Sequence, residues 1–227
     1  MIIQSTRGVS ISTGVKILVY GQAGAGKTTM IKTLPNPIIL SAEAGLLPLA
    51  ELDIPFIQIS TPQDMYEAYS FLRGRPEGIE SVAIDSLSEI AEVWLSNITK
   101  TGNNGQPLKD KRQAYGEMAN QMIDLVRAFR DLPLNVYMTA TQERAQDEDT
   151  GYMLYTPSLP GKQLPGKLPY LFDEVFCLLT HKNEDGSVQR ALLTSGDMKY
   201  TAKDRSGKLS AYEPPDLSAV INKIKSA

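Results

Sequence analysis

Gly21, Gln22, Ala23, Gly24, Ala25, Gly26, Lys27 and Thr28 form a complete G-x-x-x-x-G-K-T phosphate-binding pattern. No other feature constrains the fold as tightly, because this pattern works only between a strand and a helix. The flanks meet that demand. Val15-Lys16-Ile17-Leu18-Val19-Tyr20 is a β-branched apolar run, and a helical stretch from Lys27 to Leu34 stops at Pro35. The glycines let the backbone curl so that successive N–H groups point at phosphate oxygens, and the helix N-terminus adds its positive end. Lys27 would reach the β- and γ-phosphates and the Thr28 hydroxyl would ligate Mg²⁺, with Thr29 completing the loop. The competing reading, a plain glycine turn, is disfavoured by the strand–loop–helix context.

Composition narrows the class. The 227 residues suffice for one domain with a sizeable core. With 23 basic and 26 acidic residues the formal charge is −3, which argues against a protein coated in positive charge but not against a local basic strip. The lone Cys177 excludes an internal disulfide framework, and its apolar setting, Val175–Leu179, points to a buried structural thiol. No stretch approaches the roughly 20 apolar residues of a membrane span, and the start of the chain lacks a signal-peptide apolar core. A cytoplasmic protein is expected. His181 stands alone, with no His/Cys cluster around it, so a transition-metal site is not expected.

Apolar β-type runs recur at Lys16–Tyr20, Pro37–Ser41, Phe56–Ile59, Ser81–Ile84, Asn135–Thr141, Glu174–His181 and Gln189–Thr194. Several are continuous rather than alternating, as in strands buried on both faces. Helical stretches separate the first five: Thr61 to Arg73 with Pro62 at its first position, Ser86 to Ile98, and Arg112 to Asp131. The pattern predicts an α/β fold with a mostly parallel central sheet and helices on both faces. Asn183-Glu184-Asp185-Gly186 predicts a hairpin, hence an antiparallel C-terminal extension. The expected organisation is a short arm over 1–13, a core over 14–212 and a helical tail over 213–227. Two segments read as long loops, Lys100–Gln113 and Ala145–Gly166.

Three more residues suit a nucleotide site. Asp85 ends the apolar strand Ser81–Ile84, where a carboxylate would hold the Mg²⁺ shell through water, although strand-ending Asp residues are common. Glu43 follows the strand Ile38–Ala42, at the end of a sheet where ligands gather, and could activate water. Gln142 follows Val136–Thr141 and could sense a γ-phosphate through its amide. A solvated carboxylate and a plain surface glutamine are the competing readings for these two.

In chain order, Gly21–Thr28, the Glu43 of Leu40-Ser41-Ala42-Glu43-Ala44, Ile84-Asp85-Ser86 and Tyr137-Met138-Thr139-Ala140-Thr141-Gln142 resemble the RecA-type recombinase core. The nearest likeness is to short phage-encoded RecA-core proteins of single-strand annealing and recombination, often labelled AAA-family ATPases. The resemblance spans roughly 14–212. It implies a RecA-type P-loop NTPase that hydrolyses ATP with Mg²⁺, with Glu43 as the water-activating base and Gln142 opening the second DNA loop. Ala202-Lys203-Asp204-Arg205 matches the K-x-R spacing of RecA-like oligomers such as KaiC. That likeness implies a homo-oligomer with ATP at subunit interfaces and Lys203 and Arg205 facing a neighbour's triphosphate. It also implies single-stranded DNA as partner, a possible single-strand DNA-binding protein as helper, and residence in a bacterial host's cytoplasm. By position, Lys100, Lys109, Lys111 and Arg112 fall in the family's first DNA loop, and Arg144, Lys162 and Lys167 in the second. The acidic run Asp147-Glu148-Asp149 opposes DNA there, and a solvated connection is the competing reading.

Other classes stay open: a helicase loader or DNA motor, a small-molecule kinase, or a nucleotide-gated binding module with little turnover. Ser86 rather than Glu follows Asp85, against the loader; Ala145–Gly166 holds no arginine, against a kinase lid.

Overall fold

The computed structural model describes residues 13–43, 45–102, 110–146, 151–161 and 163–226. The arm over 1–12 and the candidate DNA contacts Lys109 and Lys162 lie outside the described residues.

Parallel strands form the centre, as the continuous apolar runs predict. They are β1 (Lys16–Tyr20), β2 (Pro37–Ser41), β3 (Phe56–Gln58), β4 (Ser81–Asp85), β5 (Asn135–Gln146) and β7 (Glu174–Lys182). β8 (Val188–Leu193) and β10 (Tyr212–Glu213) extend the sheet antiparallel, giving the order β10-β8-β7-β1-β5-β4-β2-β3. β5 therefore lies between β1, which leads into the phosphate loop, and β4, which carries Asp85. All five residues of β1 and of β4 are buried, so neither face of these strands meets water.

Side chains alternate across the sheet, and each set finds its own cover. Leu18, Leu40, Val82, Ile84 and Met138 pack under α1 (Pro62–Arg73), α2 (Leu87–Thr101) and α3 (Lys111–Arg130), with Trp94, Met122 and Phe129. Ile17, Val19, Ile39, Ala83, Tyr137 and Phe176 face the other way, onto Met30 and Ile31 after the phosphate loop and onto α5 (Leu217–Lys225). Each fully buried large apolar side chain contributes about 1.5–3 kcal/mol, so truncating Leu18 would cost about 2–5 kcal/mol.

The helix starts follow their capping chemistry. Thr61 caps α1 in a reciprocal box with Asp64, and Ser86 caps α2 by accepting from the Glu89 N–H at 3.3 Å. The turn after the phosphate loop is shorter and tighter than the expected helix, a 3₁₀ segment at Thr28–Thr33 that ends in extended Leu34.

The segment Ala145–Gly166 is not a plain loop. β5 continues to Gln146 and pairs antiparallel with β6 (Met153–Ser158), and α4 (Gln163–Lys167) follows. Gln142 consequently lies inside β5, opposite Pro157, rather than after a strand. This ribbon is tied to the core. The Tyr20 hydroxyl bonds the carbonyls of Tyr155 (2.9 Å) and Thr201 (2.8 Å), and the Tyr155 and Tyr200 rings stack at 5.0 Å. The expected loop Lys100–Gln113 is also shorter than it reads, because α2 runs to Thr101 and α3 starts at Lys111.

Candidate functional site

The C-terminal ends of β1, β2 and β4 converge beside the middle of β5 at one edge of the sheet, which brings the phosphate loop, Glu43, Asp85 and Thr139 together. Gly24 and Gly26 have φ of +73° and +109°, backbone that residues with a Cβ rarely adopt. Gly21 needs its glycine for space instead, since a Cβ there would sit 2.9 Å from the Leu178 carbonyl. Among the described residues, no hydrogen bond takes up the N–H groups of Gly24, Gly26 or Lys27.

Lys27 donates to two carbonyls of its own loop, Gly21 at 2.8 Å and Gln22 at 3.1 Å. Burial pulls its pKa below the usual lysine value, against the opposing pull of Asp85 and Glu43. The Tyr137 hydroxyl donates to the Lys27 carbonyl at 2.9 Å, fixing the start of the following turn from β5. Tyr137 is buried, and that burial holds its phenol far above the ordinary range, hence neutral and a donor.

Asp85 is 3% exposed and held by two hydroxyls. Thr28 donates to its Oδ2 at 2.7 Å, and Thr139 donates to Oδ1. Glu43 lies on the adjacent strand end, where Ser41 is opposite Asp85. Its Oε1 accepts from the Ser86 hydroxyl at 2.5 Å, and its backbone carbonyl accepts from Ser41 at 2.7 Å. The residue after Asp85 thus steers the carboxylate of Glu43. Among the described residues no group of three His, Cys, Asp or Glu could hold a metal by itself. Thr28 and Asp85 are instead hard oxygen donors at the loop mouth, which suits Mg²⁺, an ion that completes its shell with water and phosphate.

Gln142 stands two residues beyond Ala140, the partner of Tyr20, and so beside the start of the loop. The Cys177 thiol donates weakly to its Oε1 at 3.7 Å; burial pushes that thiol up to about 11, so Cys177 is unreactive. Lys203 and Arg205 are not part of this cluster. β9 (Lys203–Asp204) pairs with the first residues of β7, at the opposite end of the sheet from the phosphate loop. Lys203 donates to the carbonyls of Pro169 (2.7 Å) and Phe172 (2.6 Å), and Arg205 pairs with Asp173 at 3.1 Å. Lys100, Lys111, Arg112, Arg144 and Lys167 are all exposed, at the end of α2, the start of α3, on β5 and at the end of α4. The guanidinium of Arg144 lies 6.0 Å above the Tyr155 ring.

Sequence reasoning missed Tyr137, Thr139, Ser86 and Arg190. The first two carried a signal, polar groups inside the apolar run Val136–Ala140. Arg190 carried none: its Nε donates to the Ala25 carbonyl at 2.9 Å from 165 residues away.

No curated protein matches the chain in sequence. Among solved structures, a KaiC-like protein from the hyperthermophilic archaeon Pyrococcus horikoshii OT3 is similar, with a TM-score of 0.49 at 13% identity over 82% of this chain and 83% of that one. The AAA domain family matches over residues 13–206, a span that runs from the strand before the phosphate loop to the turn after Arg205. The chain belongs to the AAA domain family of P-loop ATPases.

Proposed function

We propose that this protein is a RecA-type ATPase that hydrolyses ATP with Mg²⁺ and uses the cycle to bind single-stranded DNA during annealing or recombination. The observation that carries the ATPase part is the joint placement of Lys27, Thr28, Asp85 and Glu43 at one sheet edge. Mg²⁺ would be held by Thr28, and by Asp85 through water, and would neutralise phosphoryl charge. The free loop amides and Lys27 hold the phosphates. Glu43, aimed by Ser86, accepts the proton of the attacking water. The two carboxylates divide the tasks: Asp85 is held by Thr28 and Thr139 beside the Mg²⁺ ligand, while Glu43 stands just past the end of the neighbouring strand, held by Ser86.

The DNA part is supported by the β5–β6 ribbon. It grows from the strand that carries Thr139, and it presents Arg144 with the Tyr155 ring and the exposed Tyr152. A cation beside aromatic faces suits sequence-tolerant contacts to backbone and bases. Gln142, at the root of the ribbon, is suited to report the loss of the γ-phosphate to it. Lys203 and Arg205 serve a neighbouring subunit in this reading, at the price of releasing their own-chain carbonyls and Asp173. Single contacts are weak, and repetition along a strand supplies affinity.

ATP hydrolysis measured with and without single-stranded DNA, for wild type and Glu43→Gln, tests the proposal. DNA stimulates the wild type, and the variant loses about a hundredfold or more in turnover while still binding nucleotide. Equal rates in the two proteins remove Glu43 from the mechanism, and indifference to DNA removes the DNA reading.

A further inference from the structure

We infer that Arg190 is a positioning residue for the phosphate loop, holding the Ala25–Gly26 peptide so that the Gly26 N–H faces the bound phosphates. The inference rests on the reading of that loop as a triphosphate site.

Arg190 reaches the loop from the antiparallel extension. β8 pairs with β7 (Thr180 opposite Arg190), and β7 pairs with β1 up to Tyr20, the residue before the loop. From there the Arg190 Nε donates to the Ala25 carbonyl at 2.9 Å. A trans peptide carries its C=O and N–H on opposite sides of one rigid plane. With its carbonyl pinned by Arg190, this peptide holds the Gly26 N–H on the opposite side of the plane, directed away from the guanidinium. That N–H takes no other partner among the described residues. The guanidinium is always charged, and its hydrogen bond polarises the same peptide, making the Gly26 N–H a stronger donor to an anion.

A second observation agrees. A Cβ on Gly26 would lie 3.3 Å from the Arg190 Nε and 3.6 Å from its Cδ, while at Gly24 it would meet nothing within 4 Å. Arg190 is thus packed against the one loop glycine whose amide it orients. Both glycines have positive φ and no Cβ, so side-chain sterics do not hold the adjoining peptide planes in place. Tyr137 holds the carbonyl two residues on, that of Lys27. Arg190 and Tyr137 thus hold the peptide planes on either side of the Gly26–Lys27 peptide, whose own carbonyl accepts from the Met30 N–H, at the point where the loop becomes a helical turn. Among the described residues the terminal nitrogens of Arg190 make no hydrogen bond or ion pair, so an acidic partner does not explain its position.

The test compares wild type, Arg190→Ala, Arg190→Lys and Lys27→Ala. Binding of ADP and of a non-hydrolysable ATP analogue with Mg²⁺ is read by calorimetry, steady-state ATP kinetics give KM and kcat, and melting is recorded without nucleotide. Arg190→Ala should raise the dissociation constants and KM about tenfold, the scale of one charge-assisted hydrogen bond, with kcat within about twofold. Arg190→Lys, which keeps a cationic donor, should recover part of the loss. A wild type that binds nucleotide alongside an Arg190→Ala protein of equal affinity overturns the inference and leaves the site reading standing. So does a lower melting temperature in that variant with affinity unmoved, which is a purely structural role. A folded wild type that binds nucleotide no better than Lys27→Ala overturns both.

Discussion

Thr139→Val probes the hydroxyl that no motif assigns. The substitution is near-isosteric, so the buried site keeps its packing while Asp85 loses one of its two hydroxyl donors. Thr139 is fully buried and Asp85 is 3% exposed, so water cannot replace the bond. A hydrogen bond to a charged group contributes about 1.5–3 kcal/mol, and breaking it leaves a buried carboxylate oxygen unsatisfied. For a chain of this size each kcal/mol moves the melting temperature by about 2–4 °C, so the nucleotide-free protein should melt about 3–12 °C lower. Differential scanning calorimetry at neutral pH reads the shift. Thr139→Ser, which keeps the hydroxyl and drops the methyl, should retain most of the stability. If the serine protein falls as far as the valine one, methyl packing and not the hydroxyl holds the site together. If neither moves, the bond contributes nothing and the account of Asp85 fails.

Removing the hydroxyl that aims Glu43, by Ser86→Ala, should lower kcat about tenfold with nucleotide affinity unchanged. It should also cost about 1 kcal/mol in stability, because Ser86 caps α2; an unchanged kcat removes Ser86 from the site. Arg144→Ala should weaken single-stranded DNA binding and reduce the slope of log affinity against log salt by about one, measured by fluorescence anisotropy; an unchanged slope excludes a phosphate contact. Glu174, 1% exposed, faces Asp204 across the β7–β9 pair. Burial first, and Asp204 second, push its carboxyl up to about 8. The folded state then keeps a proton that the unfolded chain releases near its ordinary 4.5, so stability is fullest below that value and falls as pH rises to about 8. Glu174→Gln should flatten that fall in urea titrations across the window, and a slope identical to wild type refutes the assignment.

Two-sided burial explains what could be read in advance. β1, β4 and the first half of β5 have no wet face, so their sequences read as continuous apolar runs, in β1 and β4 with polar residues only at the strand ends. The functional groups Gly21, Glu43 and Asp85 follow those ends, which is why they were legible. β6 was not. It is half exposed, follows an acidic stretch and contains Pro157, which an edge strand tolerates because the proline nitrogen has no ladder bond to give. Its pairing with β5 is a tertiary event with no local signature, and it moved Gln142 from a loop into a strand. Thr139 and Tyr137 stand out in sequence only as polar groups in an apolar run, and it is the register that sets them against Asp85 and Lys27. Lys203 and Arg205 fit a spacing, but spacing carries no information about the end of the sheet on which the pair falls.

Lys27 links the loop's own hydrogen bonds to its affinity for an anion. Its ammonium rests on the neutral carbonyls of Gly21 and Gln22, half-buried, and its pKa is lowered mainly by that burial. Phosphate oxygens would replace those carbonyls with charged acceptors, and bonds between two charged partners are about twice as strong. Binding must then raise the Lys27 pKa. A group whose pKa rises on binding takes up a proton, and affinity falls as pH climbs through the free-protein value. Calorimetry of ADP binding at alkaline pH, in two buffers of different ionisation enthalpy, should show net proton uptake that is absent at neutral pH. Lys27→Arg stays charged throughout and should show none, whatever its affinity. Equal proton exchange in the two proteins would mean that Lys27 is fully charged before the nucleotide arrives, and that burial does not set its protonation.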